Sequence, residues 1–139
     1  MTRETIINQQ INDHINYGSG TKTVCVSTCL NFLGIAPDQY NYTSSKTNCN
    51  AYENVLRKHG YAVRSRISEF KVKKFRSTMT ELKQAMRKSK YTQSDLFLVS
   101  GVQMKSAHLM ILNGMGEVVI DTAPKKKWKI RGVRQVFRA

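Results

Sequence analysis

Three residues far apart in the chain have the types that amide chemistry needs. Cys25 lies in Thr23-Val24-Cys25-Val26-Ser27-Thr28-Cys29-Leu30-Asn31-Phe32-Leu33-Gly34, and His108 and Asp121 lie in Ser106-Ala107-His108-Leu109-Met110-Ile111-Leu112-Asn113-Gly114-Met115-Gly116-Glu117-Val118-Val119-Ile120-Asp121. A free thiol is only slightly ionised at neutral pH. A helix N-terminus, with its unpaired N–H groups and positive dipole end, and a neighbouring imidazole both favour the thiolate. A carboxylate fixes the tautomer and orientation of that imidazole. In such a site Cys25 attacks a carbonyl, His108 protonates the leaving group and Asp121 orients His108. Taken singly, each has a plainer explanation: a core cysteine, a satisfied strand histidine and a strand-end aspartate.

The elements around them decide whether they meet. Thr23 is placed to cap a short helix, with Cys25 in its first turn, Gly34 as its stop and Pro37 beyond. Cys29 lies one turn from Cys25 on the same side and is expected in the core; Cys49 reads as a loop or cap residue. The histidine and aspartate stretches read as two arms of a hairpin, 106–113 and 116–122. If Gly114-Met115 forms a two-residue loop, His108 lies directly opposite Asp121. If Asn113-Gly114 forms it, His108 opposes Val119 and Asp121 is the diagonal neighbour on the same face. A three-residue loop without a bulge separates them onto opposite faces.

The remaining pattern supplies a scaffold. Ile7, Ile11 and Ile15 predict an amphipathic helix over 4–16, followed by a break at 17–22. Residues 38–50 read as a loop, Asn50 as the cap of a helix over 51–58, and Gly60 as its end. Residues 61–66 suit a strand and 69–76 a basic connection. Thr78 and Glu81 have capping-box spacing for a helix to about residue 88. The wholly apolar Leu96-Phe97-Leu98-Val99 predicts a central strand, and 128–137 a final strand or two broken at Gly132. Helices first and then strands indicate an α+β fold: N-terminal helices packed on a mainly antiparallel sheet, in one domain over 1–139 with a basic segment at about 124–139.

The cysteine stretch resembles the nucleophile helix of papain-like cysteine peptidases, especially the compact bacteriocin-processing branch, in which a cysteine opens a helix that ends in glycine. The apolar strand at 95–100, the His108 strand and the Asp121 strand are similar to that family's second half, so the resemblance spans roughly 15–123. It implies a papain-like fold with Cys25 as nucleophile, His108 as base and Asp121 as orienter, cleaving an amide bond through a thioester. The family places a glutamine about six residues before the cysteine for its oxyanion hole. Here that position is Ser19, with Gln9 and Gln10 further upstream. The residue after the cysteine, often glycine in that branch, is Val26. Transglutaminase-like proteins share the Cys, His, Asp order, which keeps acyl transfer and deamidation open.

Charge points to a second function. Residues 1–56 carry three basic and four acidic side chains, and residues 57–139 carry twenty and five, within a total of +14. A field of that sign implies an acidic partner, whether nucleic acid, an acidic protein or an anionic surface. Lys125, Lys126, Lys127, Lys129, Arg131 and Arg134 form one candidate segment, with Arg138 beyond them and Trp128 among them. Arg64, Arg66, Lys71, Lys73, Lys74 and Arg76 form another. In extended chain, Lys127, Lys129 and Arg131 share one face and Trp128 and Ile130 the other. Basic residues around an aromatic track phosphates and stack a base, although a lone tryptophan is ordinarily a core residue. The alternative to the enzyme is therefore a catalytically inactive basic protein of the same fold that binds nucleic acid or an acidic protein.

A zinc site from Cys25, Cys29, Cys49 and His108 lacks the usual close-paired spacing, and no cofactor is expected. Three cysteines suggest a reducing compartment. The start of the chain lacks a leader-like apolar stretch and no run reaches membrane-span length, which predicts a cytoplasmic protein. Size and charge give the impression of a bacteriophage product acting in the host cytoplasm, for which cell-wall peptides join protein and peptide substrates.

Overall fold

A computed structural model describes residues 24–35, 49–103, 106–122 and 127–139. The expected helix over 4–16, the Thr23 cap, Pro37, most of the 38–50 loop, Ser19, Gln9, Gln10, Lys125 and Lys126 lie outside the described residues. The described elements are α1 (Val24–Phe32), α2 (Cys49–Lys58), β1 (Tyr61–Ser65), α3 (Met79–Arg87), β2 (Leu96–Gln103), β3 (Ser106–Asn113), β4 (Val118–Ile120) and β5 (Lys129–Arg138). The fold is α+β. Its five strands form one antiparallel sheet in the order β1-β5-β2-β3-β4. Among the described residues no helix is long and apolar enough to cross a membrane.

The sheet is a middle layer. On one side α1 and α2 build a core with Leu98, Leu109, Ile111, Ile120 and Val136. On the other, Leu82 and Met86 of α3 join Phe70, Tyr91, Phe97, Val99, Met110, Leu112, Ile130 and Val133. Because both faces are covered, β2 and β3 carry apolar residues at consecutive positions, Leu96-Phe97-Leu98-Val99 and Leu109-Met110-Ile111-Leu112, each run feeding the two cores in turn. β2 lies at the centre of the sheet, as its composition predicts.

Local chemistry sets the element ends. Gly34, at φ +88°, closes α1 in the left-handed conformation that glycine adopts without steric cost. The Ile35 N–H reaches back to the Leu30 carbonyl at 2.9 Å and that of Gly34 to Asn31 at 2.9 Å. Thr78 and Glu81 form the predicted capping box on α3. Two boundaries differ from expectation. α2 begins at Cys49, so Cys49 and Asn50 both belong to the helix rather than to a loop and cap. β5 is one strand, continuous through Gly132. Its irregularity falls at Arg131, where Ser100 pairs with Gly132 but Gly101 pairs with Ile130, so one extra residue is accommodated as a bulge.

Thr78→Ala removes the side-chain acceptor that holds the Glu81 N–H. It is expected to cost about 1 kcal/mol, read as a lower urea midpoint at unchanged slope.

Candidate active site

The β3–β4 hairpin decides whether His108 and Asp121 meet. Neither two-residue loop forms. Asn113 and Glu117 close a three-residue turn, with the Asn113 N–H donating to the Glu117 carbonyl at 3.0 Å. The Asn113 side chain selects this turn, its Oδ1 accepting from the N–H groups of Met115 (3.0 Å) and Glu117 (3.1 Å). Such a turn alone would place His108 and Asp121 on opposite faces. A second feature reverses this. Leu112 pairs with Val118 and Ile111 with Ile120, leaving Val119 as an extra residue in β4. That bulge shifts the register by one and returns Asp121 to the His108 face, diagonal to it. The result is a hydrogen bond of 2.5 Å between His108 Nε2 and Asp121 Oδ1, with both side chains more than nine-tenths shielded from solvent.

Cys25 completes the group. α1 packs on β3, and β4 pairs only with Ile111 and Leu112. Among the described residues the N-terminal part of β3 is therefore left clear on that edge. There the first turn of α1 brings the Cys25 thiol close enough to His108 to raise the pKa of its ring. As second residue of α1, Cys25 lies in the first turn of that helix, near the positive end of its dipole. All three predicted catalytic residues, Cys25, His108 and Asp121, thus come together.

The electrostatics favour a charged imidazole. Burial lowers the pKa of His108, but the hydrogen bonds to Asp121 and Cys25 and the negative charge of both outweigh it, and the imidazole is pushed up to about 9. Cys29 is different. Burial, then the charges of Cys25 and Asp121, push its thiol well above the ordinary value. It stays neutral, points at the Leu109 carbonyl at 3.8 Å and is a core residue. Among the described residues no three His, Cys, Asp or Glu side chains are grouped to hold a metal ion.

Two further residues shape the site. Trp128, buried as its type suggests, stacks on the His108 ring with centroids 4.8 Å apart and planes 16° from parallel. Gly101 permits this. It pairs with His108 on one side and Ile130 on the other, and a Cβ there would lie 2.6 Å from Trp128 Cβ. The signal was a lone glycine inside an otherwise apolar strand, which marks a close approach.

The basic residues divide. Arg134 is not available to a partner, because it forms an ion pair with Glu53 of α2. Arg66 is held by Glu69 and Gln135. Lys127 and Lys129 are exposed, Arg131 is half-buried, and Trp128 and Ile130 face inward, so the predicted alternation of faces holds. A groove of about 480 Å³ lined by Phe32, Leu33, Tyr61, Leu96 and Arg138 among others lies at the opposite end of β2 and shares no residue with the site.

His108 titrates higher in the folded chain than the ordinary 6.5. Its stabilising contribution is therefore fully present below pH 6.5 and lost as pH rises through about 9. Asp121→Asn is expected to lower the His108 pKa, seen by NMR titration of the ring, and the stability gap to wild type narrows across that window. Gly101→Ala is expected to cost about 1–3 kcal/mol and to displace Trp128, which as the sole tryptophan reports the change by a red-shifted emission.

Comparison with protein-family models, with curated proteins and with solved structures gives no match, so the reading of this site rests on its own geometry.

Proposed function

We propose that the chain is a cysteine peptidase-like hydrolase, papain-like in arrangement, that cleaves an amide bond of a protein or peptide through a thioester. One observation carries this reading: a cysteine in the first turn of a helix lies near enough to act on an imidazole whose Nε2 is held at 2.5 Å by a carboxylate. Each part has a role. The Cys25 thiolate attacks the carbonyl carbon. The developing oxyanion has the Cys25 N–H as one donor. The C–N bond breaks as protonated His108 gives its proton to the leaving nitrogen, and a thioester remains. Water then attacks the thioester, His108 takes a proton from it, and the carboxylic acid and the thiolate are released.

The causes of the His108 shift suit this sequence. Before acylation the Cys25 charge helps to keep the imidazole protonated, ready to donate. Acylation removes that charge, which lowers the pKa toward what the water-activating step needs. Asp121 stays beside the ring in both steps. Deamidation follows the same course with ammonia as leaving group, and acyl transfer with an amine in place of water.

Alkylation of Cys25, followed by mass spectrometry across pH, tests the reading. Wild type is expected to react with an apparent pKa well below the free-thiol value of about 8.5, and His108→Ala to lose that advantage. Cys25→Ala is expected to fold normally and to abolish thioester formation. Slow alkylation near the free-thiol pKa, unchanged in His108→Ala, would leave Cys25 structural and defeat the proposal.

A further inference from the structure

The segment 71–76, between β1 and α3, is exposed at Lys71, Lys73, Lys74, Phe75 and Arg76. It is fixed against the first residues of β5. The Phe75 N–H donates to the Ile130 carbonyl at 2.7 Å, the Ile130 N–H to Ser77 at 2.9 Å, and Thr78 bridges Lys129. Lys127 and Lys129, both exposed, are thereby brought beside the 71–76 cations. Lys129 and Lys73 both add, after the stronger Thr78 hydrogen bonds, to the lowering of the Glu81 carboxyl pKa, which places them around one point.

Beyond the pull of Lys73 and Lys129 on Glu81, this surface has no ion pair to employ its charge. All six acidic side chains among the described residues are engaged locally: Glu53 with Arg57 and Arg134, Glu69 with Arg66 and Tyr91, Glu81 with Thr78, Asp95 with Thr92, Glu117 with Asn113 and Gln93, Asp121 with His108. None of Lys71, Lys73, Lys74, Arg76, Lys127 or Lys129 has an ion pair among the described residues. In their midst Phe75 is 54% exposed, at φ +66°, with Lys74 Nζ 5.3 Å from the ring centroid. A left-handed phenylalanine presented to solvent is costly on two counts, backbone and apolar exposure.

We infer that the Lys71–Arg76 turn, with Lys127 and Lys129, is a binding surface for single-stranded nucleic acid, on which the lysines track phosphates and Phe75 stacks a base. An acidic peptide would use the cations but gives no reason for an aromatic held outward among them, whereas every base offers a face to stack. Trp128, read as a candidate for this role but more in keeping with a core residue, is stacked on His108; Phe75 is the aromatic presented outward. The inference does not depend on the hydrolase reading.

The test is fluorescence anisotropy of a labelled 20-nucleotide single-stranded DNA and its RNA counterpart with the full-length chain, from 50 to 300 mM salt. Wild type is expected to bind, with log affinity falling linearly with log salt. Phe75→Ala is expected to weaken binding about tenfold without altering the salt slope. Lys71→Ala/Lys73→Ala/Lys74→Ala is expected to reduce the slope by about 2. Circular dichroism confirms that both variants fold. No binding at 50 mM salt, or binding indifferent to both variants, overturns the inference. So does polyglutamate displacing the DNA at equal charge concentration with no effect of Phe75→Ala, which would assign the surface to an acidic protein.

Discussion

A buried imidazole stays protonated only while negative charge stands beside it, and this constraint organises the site. Burial works against the charge on His108, while Asp121 and Cys25 restore it. Neither partner is near in sequence. Asp121 depends on a turn, a bulge and a short edge strand; Cys25 depends on a helix that packs across β3 and stops cleanly at Gly34. Trp128 then covers the ring, where the loss of water strengthens the interactions inside. The sheet, buried on both faces, supplies the rigid frame that holds a carboxylate and a thiol on one ring.

The same chain separates two uses of positive charge. Arginines at 57, 66 and 134 pair with carboxylates, and Arg138 lies over the Tyr61 ring at 4.2 Å. Arg57 pairs within its own helix, whereas Arg134 ties β5 to α2, Arg66 reaches Gln135 of β5 and Arg138 packs on Tyr61 of β1. The lysines at 71, 73, 74, 127 and 129 stay in water. These lysines add to the net charge with few ties to the fold, Lys73 and Lys129 acting on Glu81 and Lys74 lying over Phe75, and the described acidic side chains are engaged locally.

Much of this was legible in the residues. The apolar run Leu96 to Val99 announced a strand covered on both sides, Thr78 and Glu81 announced a capped helix, and the types at 25, 108 and 121 announced residues that the fold brings together. The turn was legible only in part. Asn113 reads equally well as a strand end or as the first residue of a two-residue loop, and its Oδ1 chooses between them through hydrogen bonds that no spacing reveals. A bulge such as that at Val119 carries no composition signal, since valine suits a regular strand as well. Arg134 looked like its basic neighbours because its partner, Glu53, is distant in sequence. Phe75 was hidden for another reason: Trp128 was the aromatic read among the cations, and only the structure shows that Phe75 is the one exposed.

The Val119 bulge also bears on how the chain could change in length. Between His108 and Asp121 the turn and the bulge each reverse the face and together cancel. Gain or loss of one residue within the paired stretches would turn the carboxylate away from the imidazole unless the turn or the bulge changed with it. Val119 is the exception: it pairs with nothing, so its loss would leave the Ile111–Ile120 pair and the side of the sheet on which the carboxylate lies unchanged. A change of length is thus cheap at the bulge and costly on either side of it.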